Sequence, residues 1–210
     1  MTYEQPAAPV GGYPVDLFVT PEREINRLWG IPFLGHAARA ILAIPHMFVL
    51  WLLGMGLGIW IWLGWIAILV NGRVPAIAVS LVHEYLLRGQ KVAGYVGFLM
   101  PGGYPPLEPG LRGPVELEMR LESLEINRLW GIPLFGLAAR AIILIPQFIV
   151  LWILGLVIFF SLWILWIPIL ITGRYPEWAA SLYGSFMRLG VRVAAYLLLM
   201  PVPYPPISLS

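Results

Sequence analysis

The chain has 210 residues, 60% of them hydrophobic and 11% charged, with a formal net charge of +2 and no cysteine; its mean hydropathy is +0.82. A soluble core of this size cannot hide so much apolar surface, so the excess is expected to face lipid. The weak charge, without any Lys/Arg run, excludes a nucleic-acid grip, and the missing cysteines exclude disulfides, thiolate catalysis and Cys-ligated metals.

In chain order, residues 1–12 form a Pro/Gly-rich arm, and the first twenty residues have neither the basic start nor the apolar stretch of a signal peptide. Val15, Leu17 and Val19 then alternate with other residues as in a short strand. The stretch Glu24–Pro32 reads EINRLWGIP, and the same nine residues return at Glu125–Pro133. The match continues: between 24–82 and 125–183, 33 of 59 aligned positions are identical, so two copies share one fold. The copies are read as 13–106 and 114–206, joined by a linker at 107–113 and followed by a tail at 207–210.

Within the block, Trp29 and Arg27 sit just ahead of an apolar run and read as an anchor at headgroup level. Asn26 and Asn127 are expected to bond to backbone there. Charge-free runs of 33 residues follow, at 40–72 and 141–173. One straight helix of that length would reach about 50 Å, against about 30 Å of hydrocarbon. Two short crossings joined by a turn fit better, with Gly54, Gly56 and Gly58 as the turn in copy 1 and Gly155 in copy 2. The expected fold is therefore mainly α and integral to the membrane. Each repeat has a strand, a transmembrane hairpin and an amphipathic surface helix, four spans in total. Hairpins would gather the flanking arginines on one side and place both termini in the cytoplasm of a multi-pass inner-membrane protein.

After each run comes Gly-Arg-x-Pro (Gly72–Pro75, Gly173–Pro176), where glycine ends one helix and proline opens another, over 76–99 and 177–199. In the second, Trp178, Leu182, Phe186, Leu189, Val193 and Leu197 recur at helical spacing while Arg188 and Arg192 gather elsewhere, which predicts a helix along the membrane surface. Residues 100–114 are Pro/Gly-rich. Val115, Leu117 and Met119 then alternate with Glu116, Glu118 and Arg120 as a second strand able to pair with the first. Each copy closes on Tyr-Pro-Pro, at Tyr104–Pro106 and Tyr204–Pro206.

These landmarks resemble a bacterial membrane family known only as a domain of unknown function. The resemblance rests on Tyr13–Val15, Arg39 with Ala43–His46, the Gly-Arg-x-Pro junctions, Arg192–Tyr196 and the closing Tyr-Pro-Pro. Copy 2 departs at Gly113 and Gln147, and copy 1 at Val74 and Lys91. The resemblance implies a membrane protein in two tandem copies and assigns no activity.

Among single residues, His46 lies in an apolar segment and is a candidate haem or chlorin ligand. Gln147 is its equivalent, and no second histidine stands at metal-pair spacing, so a hydrogen-bonded histidine and no cofactor is the favoured reading. Arg39 and Arg140, matched between copies, are candidate contacts for lipid phosphate or an anion, weighed against snorkelling anchors. Arg73 and Arg174 carry the same two readings, with ordinary helix C-terminal electrostatics favoured. No hydrolase, metalloprotease or phosphate-loop motif appears, and no acidic residue lies in the runs. The sequence thus points to a non-enzymatic structural or accessory subunit of a larger bacterial membrane complex, whose partners are lipids and other membrane subunits. The alternative is a lipid- or small-amphiphile-binding or transport module using a cleft between the copies, with Arg39 and Arg140 in its wall.

Overall fold

The computed structural model describes residues 12–105, 113–121, 123–132 and 134–207. The N-terminal arm, the linker and the C-terminal tail read from the sequence lie almost wholly outside these residues. Each copy contributes a strand, a short helix, a long helix and a third helix. Copy 1 supplies β1 (Val15–Val19), α1 (Leu34–Leu42), α2 (Ile44–Asn71) and α3 (Ala76–Val92), and copy 2 supplies β2 (Val115–Met119), α4 (Phe135–Ile143), α5 (Ile145–Thr172) and α6 (Glu177–Leu197).

The apolar runs do not fold back on themselves. Each is one continuous 28-residue helix, α2 or α5, so the expected turn at Gly54–Gly58 and the four spans built on it are absent. Isolated glycines cost a helix only about 1 kcal/mol each relative to alanine. Opening a turn in apolar surroundings would strand several carbonyl and amide groups at greater cost. The break falls instead before the long helix. Pro45 and Pro146 lie in the first turns of α2 and α5, where the missing N–H is harmless, and a single residue, Ala43 or Leu144, separates α1 from α2 and α4 from α5. The one-sided arginine argument for cytoplasmic termini required the hairpins and goes with them. What stands is two helices long and apolar enough to cross a membrane.

Gly72 and Gly173 stop these helices in the left-handed conformation (φ 65° and 68°), as the Gly-Arg-x-Pro motif predicts. β1 and β2 pair antiparallel with Leu17 opposite Leu117, its own counterpart in the other copy. An antiparallel pair that sets equivalent residues opposite each other has its local two-fold perpendicular to the sheet. The internal symmetry axis of the molecule passes there.

Three layers stack along that axis. The sheet rests on α3 and α6: His83 lies 3.1 Å from the Leu117 carbonyl, and Arg188 Nε donates to the Leu17 carbonyl at 3.1 Å. On the opposite side of α3, Leu81 and Tyr85 meet Gly56 and Gly54 of α2, and Phe186 of α6 likewise meets Gly155 of α5. The third helices are therefore the middle layer and not surface helices. Arg192, read as part of a basic outer face, is only 1% exposed. The strand explains the difference, because Asp16 accepts from Arg192 at 3.0 Å and faces Arg188 at 3.3 Å.

The copies also exchange their leading segments. β1 packs on α6 of copy 2, and β2 on α3 of copy 1. Each repeated block docks at the far end of the other copy's long helix, where Gly30 lies against Ile169 and Leu170 and Gly131 against Ile68 and Leu69. Backbone bonds seal the joint, Ile25 N–H to the Gly173 carbonyl and Ile126 N–H to the Gly72 carbonyl, each 3.0 Å. A side chain at Gly30 or Gly131 would collide with that helix, which explains why the block holds glycine there.

Candidate functional site

The recurring motifs converge on one cluster per copy, built around Arg39 and Arg140. Both are buried, at 3% and 2% exposure. Arg39 donates from one terminal nitrogen to the carbonyls of Tyr95 and Met100, each at 2.9 Å. Arg140 does the same to Tyr196 and to Met200, the latter at 3.1 Å. The guanidinium planes are clasped by rings: Arg39 lies 4.8 Å from Trp29 and 4.7 Å from Tyr95, and Arg140 lies 5.0 Å from Trp130 and 4.5 Å from Tyr196. Burial lowers the pKa of both guanidinium groups, that of Arg140 to about 10.

The tyrosine of the closing Tyr-Pro-Pro completes each cluster. The Tyr104 hydroxyl lies 2.9 Å from Nδ1 of His46, and its ring stands edge-on to Tyr95. In copy 2, Tyr204 donates to Oε1 of Gln147 at 2.7 Å, and Gln147 donates onward to the Pro205 carbonyl at 2.9 Å. The first turn of each long helix thus clamps the segment that ends its own copy. His46 and Gln147 occupy matching places in that clamp.

Four chain positions of positive φ support this arrangement in matched pairs. Leu99 and Leu199 (φ 52° and 63°) turn the chain just before the Met100 and Met200 carbonyls that the arginines hold. Phe33 and Leu134 (φ 61° and 60°) start α1 and α4. Non-glycine residues in this region are unfavourable, and their repetition in both copies marks a conformation imposed by the surroundings.

Arg39 and Arg140 make their hydrogen bonds and ring contacts within their own copies, with Tyr175 of copy 2 close to Arg39 and Tyr13 of copy 1 close to Arg140, and neither arginine lines the cavity at the copy boundary. That apolar cavity, of about 390 Å³, is lined by Ile31, Phe33, His36 and Leu99 of copy 1 with Leu162 and Trp163 of copy 2. Arg73 and Arg174 sit exposed at the ends of α2 and α5; Arg73 pairs with Glu125 at 2.7 Å, and Arg174 bridges through backbone to Glu24. Asn26 and Asn127 accept from the amides of Leu28 and Leu129 at 3.0 Å, as expected. Trp60 is buried and donates to the Leu198 carbonyl at 3.1 Å, whereas Trp62 is 78% exposed. Among the described residues, no group of three or more His, Asp or Glu side chains could hold a metal ion.

Sequence reading missed Asp16, the carboxylate beneath Arg188 and Arg192, and it missed a π-helical turn at Ala93–Gly97. The second had a signal. Tyr95 precedes Met100 by five positions, Tyr196 precedes Met200 by four, and the extra residue of copy 1 is taken up by the wider turn.

Two matched, cross-docked copies, each organised on a buried arginine and each carrying one long apolar helix, define a tandem-repeat helical domain. The chain belongs to the family described as Domain of unknown function (DUF4389), whose model matches residues 34–102 and 136–208. Those two matches fall one on each copy. No curated protein matches the chain, and no solved structure does.

Proposed function

We propose that the protein is a non-enzymatic, membrane-embedded scaffold, acting as a structural or accessory subunit beside other membrane proteins. One observation carries the reading: the motif residues shared by the copies are spent on holding the fold together, while the apolar sides of α2 and α5 are left bare. Ile44, Phe48, Trp51, Met55, Ile59, Trp62, Ile66 and Val70 are exposed along α2, and Ile145, Ile149, Trp152, Leu156, Phe160, Trp163, Ile167 and Ile171 along α5. Such a surface is too large for a soluble monomer. Cross-linking in native membranes, followed by identification of the captured chains, tests it. A stable set of membrane-protein neighbours is expected, and a protein recovered alone and free in the aqueous fraction would end the proposal.

The cavity at the copy boundary favours a second reading, a binding site for a lipid or small amphiphile. Its walls are apolar and drawn from both copies, and His36 is their polar member. Burial holds His36 below its ordinary range, so it is neutral at pH 7 and suited to a hydrogen bond more than to ion pairing. Mass spectrometry of gently extracted protein tests this reading. Lipid retention lost on Leu162→Trp, which fills the cavity, is the expected result, and retention unchanged by it refutes the site.

A further inference from the structure

The exposed stripes on α2 and α5 face the same way. On α2 the contacts with α3 and the buried residues Leu57, Trp60, Gly64 and Ile68 occupy one side, and the exposed residues occupy the opposite side. On α5, buried Ile158, Leu165 and Ile169 oppose the exposed set in the same manner. Because α3 and α6 lie between the long helices and the sheet, both stripes look away from the sheet along the internal axis. That axis, perpendicular to the sheet, also makes α2 and α5 run in opposite senses across the layer.

The sheet sits over the middle of this layer and not over an end. Leu81 and Tyr85 of α3 touch α2 at Gly56 and Gly54, near its centre, and His83 between them touches Leu117, the centre of β2. Were α2 to stand upright across a bilayer, Glu116 and Glu118 of β2, Arg120 just past it and the adjoining ends of the sheet would be carried to the hydrocarbon midplane. Charged side chains are costly there. Laid flat, the same molecule places every charge of the sheet in water and every exposed residue of the two stripes in acyl chains. The charged rims fit as well. Exposed pairs Arg23–Glu177 and Arg73–Glu125 stand at the ends of the long helices, beside the headgroups in this orientation.

Resting on the reading of the protein as membrane-embedded, we infer that α2 and α5 lie in the plane of a single leaflet as a two-helix apolar sole, with the symmetry axis along the membrane normal. The occupant of the bare face is the lipid monolayer. The stripes carry bulky apolar side chains along 28 residues on each helix, with no charged group and no polar atom except the indole N–H of Trp51, Trp62, Trp152 and Trp163, a side chain suited to the lipid headgroup boundary. Anchoring of this kind is monotopic. Neither long helix crosses.

The chain lacks cysteine, so single cysteines can be placed at will. Spin labels at Met47→Cys, Ile59→Cys and Val70→Cys along α2, at Phe160→Cys on α5, and at Glu118→Cys on the sheet are read by oxygen and aqueous-nickel accessibility in vesicles of phosphatidylethanolamine and phosphatidylglycerol. The inference expects one common depth for the four helix labels and an aqueous label at 118. An upright helix would instead separate Met47 and Val70 by about 34 Å along the normal, with Ile59 deepest. In sealed vesicles, an impermeant thiol reagent should reach Arg73→Cys and Glu177→Cys from the same side; reaction from opposite sides overturns the inference while leaving the membrane reading intact. Labels that are all aqueous, with protein that does not float with the vesicles, overturn both. Strong label-to-label coupling at Ile59→Cys would mean that a second copy covers the face, and refutes the lipid occupant.

Discussion

Copy 1 reaches Met100 from Tyr95 in five steps and copy 2 reaches Met200 from Tyr196 in four, yet both arginines hold the same pair of carbonyls. The π-turn at Ala93–Gly97 absorbs the difference, so the insertion is hidden from the cluster. His46 and Gln147 likewise differ in chemistry and agree in place, each meeting the hydroxyl of the closing tyrosine. The comparison teaches that the arginine, its two carbonyls and its two rings are the fixed part of the fold. The polar residue on the long helix can vary as long as it meets the tyrosine.

Substitutions that strip a buried charge of its partners should show the largest effects. Asp16→Asn removes the carboxylate facing Arg188 and Arg192, and by analogy with other broken buried pairs it should cost about 3–5 kcal/mol in chemical unfolding. Because Asp16 belongs to copy 1 and its arginines to copy 2, this change also tests whether the copies fold as one cooperative unit; a two-step unfolding curve in the parent protein would show that they do not.

Next come the arginines themselves. Arg39→Ala and Arg140→Ala each free two carbonyls and open a cavity, with an expected loss of about 3 kcal/mol. Losses of similar size in the two copies would support the shared role. A mild effect at Arg39 beside a severe one at Arg140 would break the comparison and single out copy 1 for another duty. Arg→Lys at either place keeps the charge but lacks the planar fork between the rings, so it should recover only part of the loss.

Smaller effects are expected at the closing motif. Tyr104→Phe and Tyr204→Phe should each cost about 1 kcal/mol, the ordinary worth of one hydrogen bond. The exchange His46→Gln, which writes copy 2 into copy 1, should change the melting midpoint least. Deleting Gly97 should convert the π-turn to regular helix and leave the Arg39 contacts in place, as hydrogen exchange at Tyr95 and Met100 would report.

Much of the local structure was legible in the chain. The duplication, both strands, the glycine stops at Gly72 and Gly173, the Asn26 and Asn127 caps and the apolarity of the two long segments follow from spacing and composition, which act between near neighbours. The direction of each apolar segment was not legible. Gly54, Gly56 and Gly58 permit a turn, but whether a helix bends there depends on what its backbone would meet on leaving the helix, and that is set by α3, whose Leu81 and Tyr85 pack on Gly56 and Gly54. The roles of Arg39, Arg140 and Asp16 were hidden for a related reason, since their partners lie 56 to 176 positions away. A sequence fixes which side chains carry charge or apolar surface. Only the packed layers determine which of those charges find partners and which apolar faces remain bare, because both depend on contacts between residues far apart in the chain.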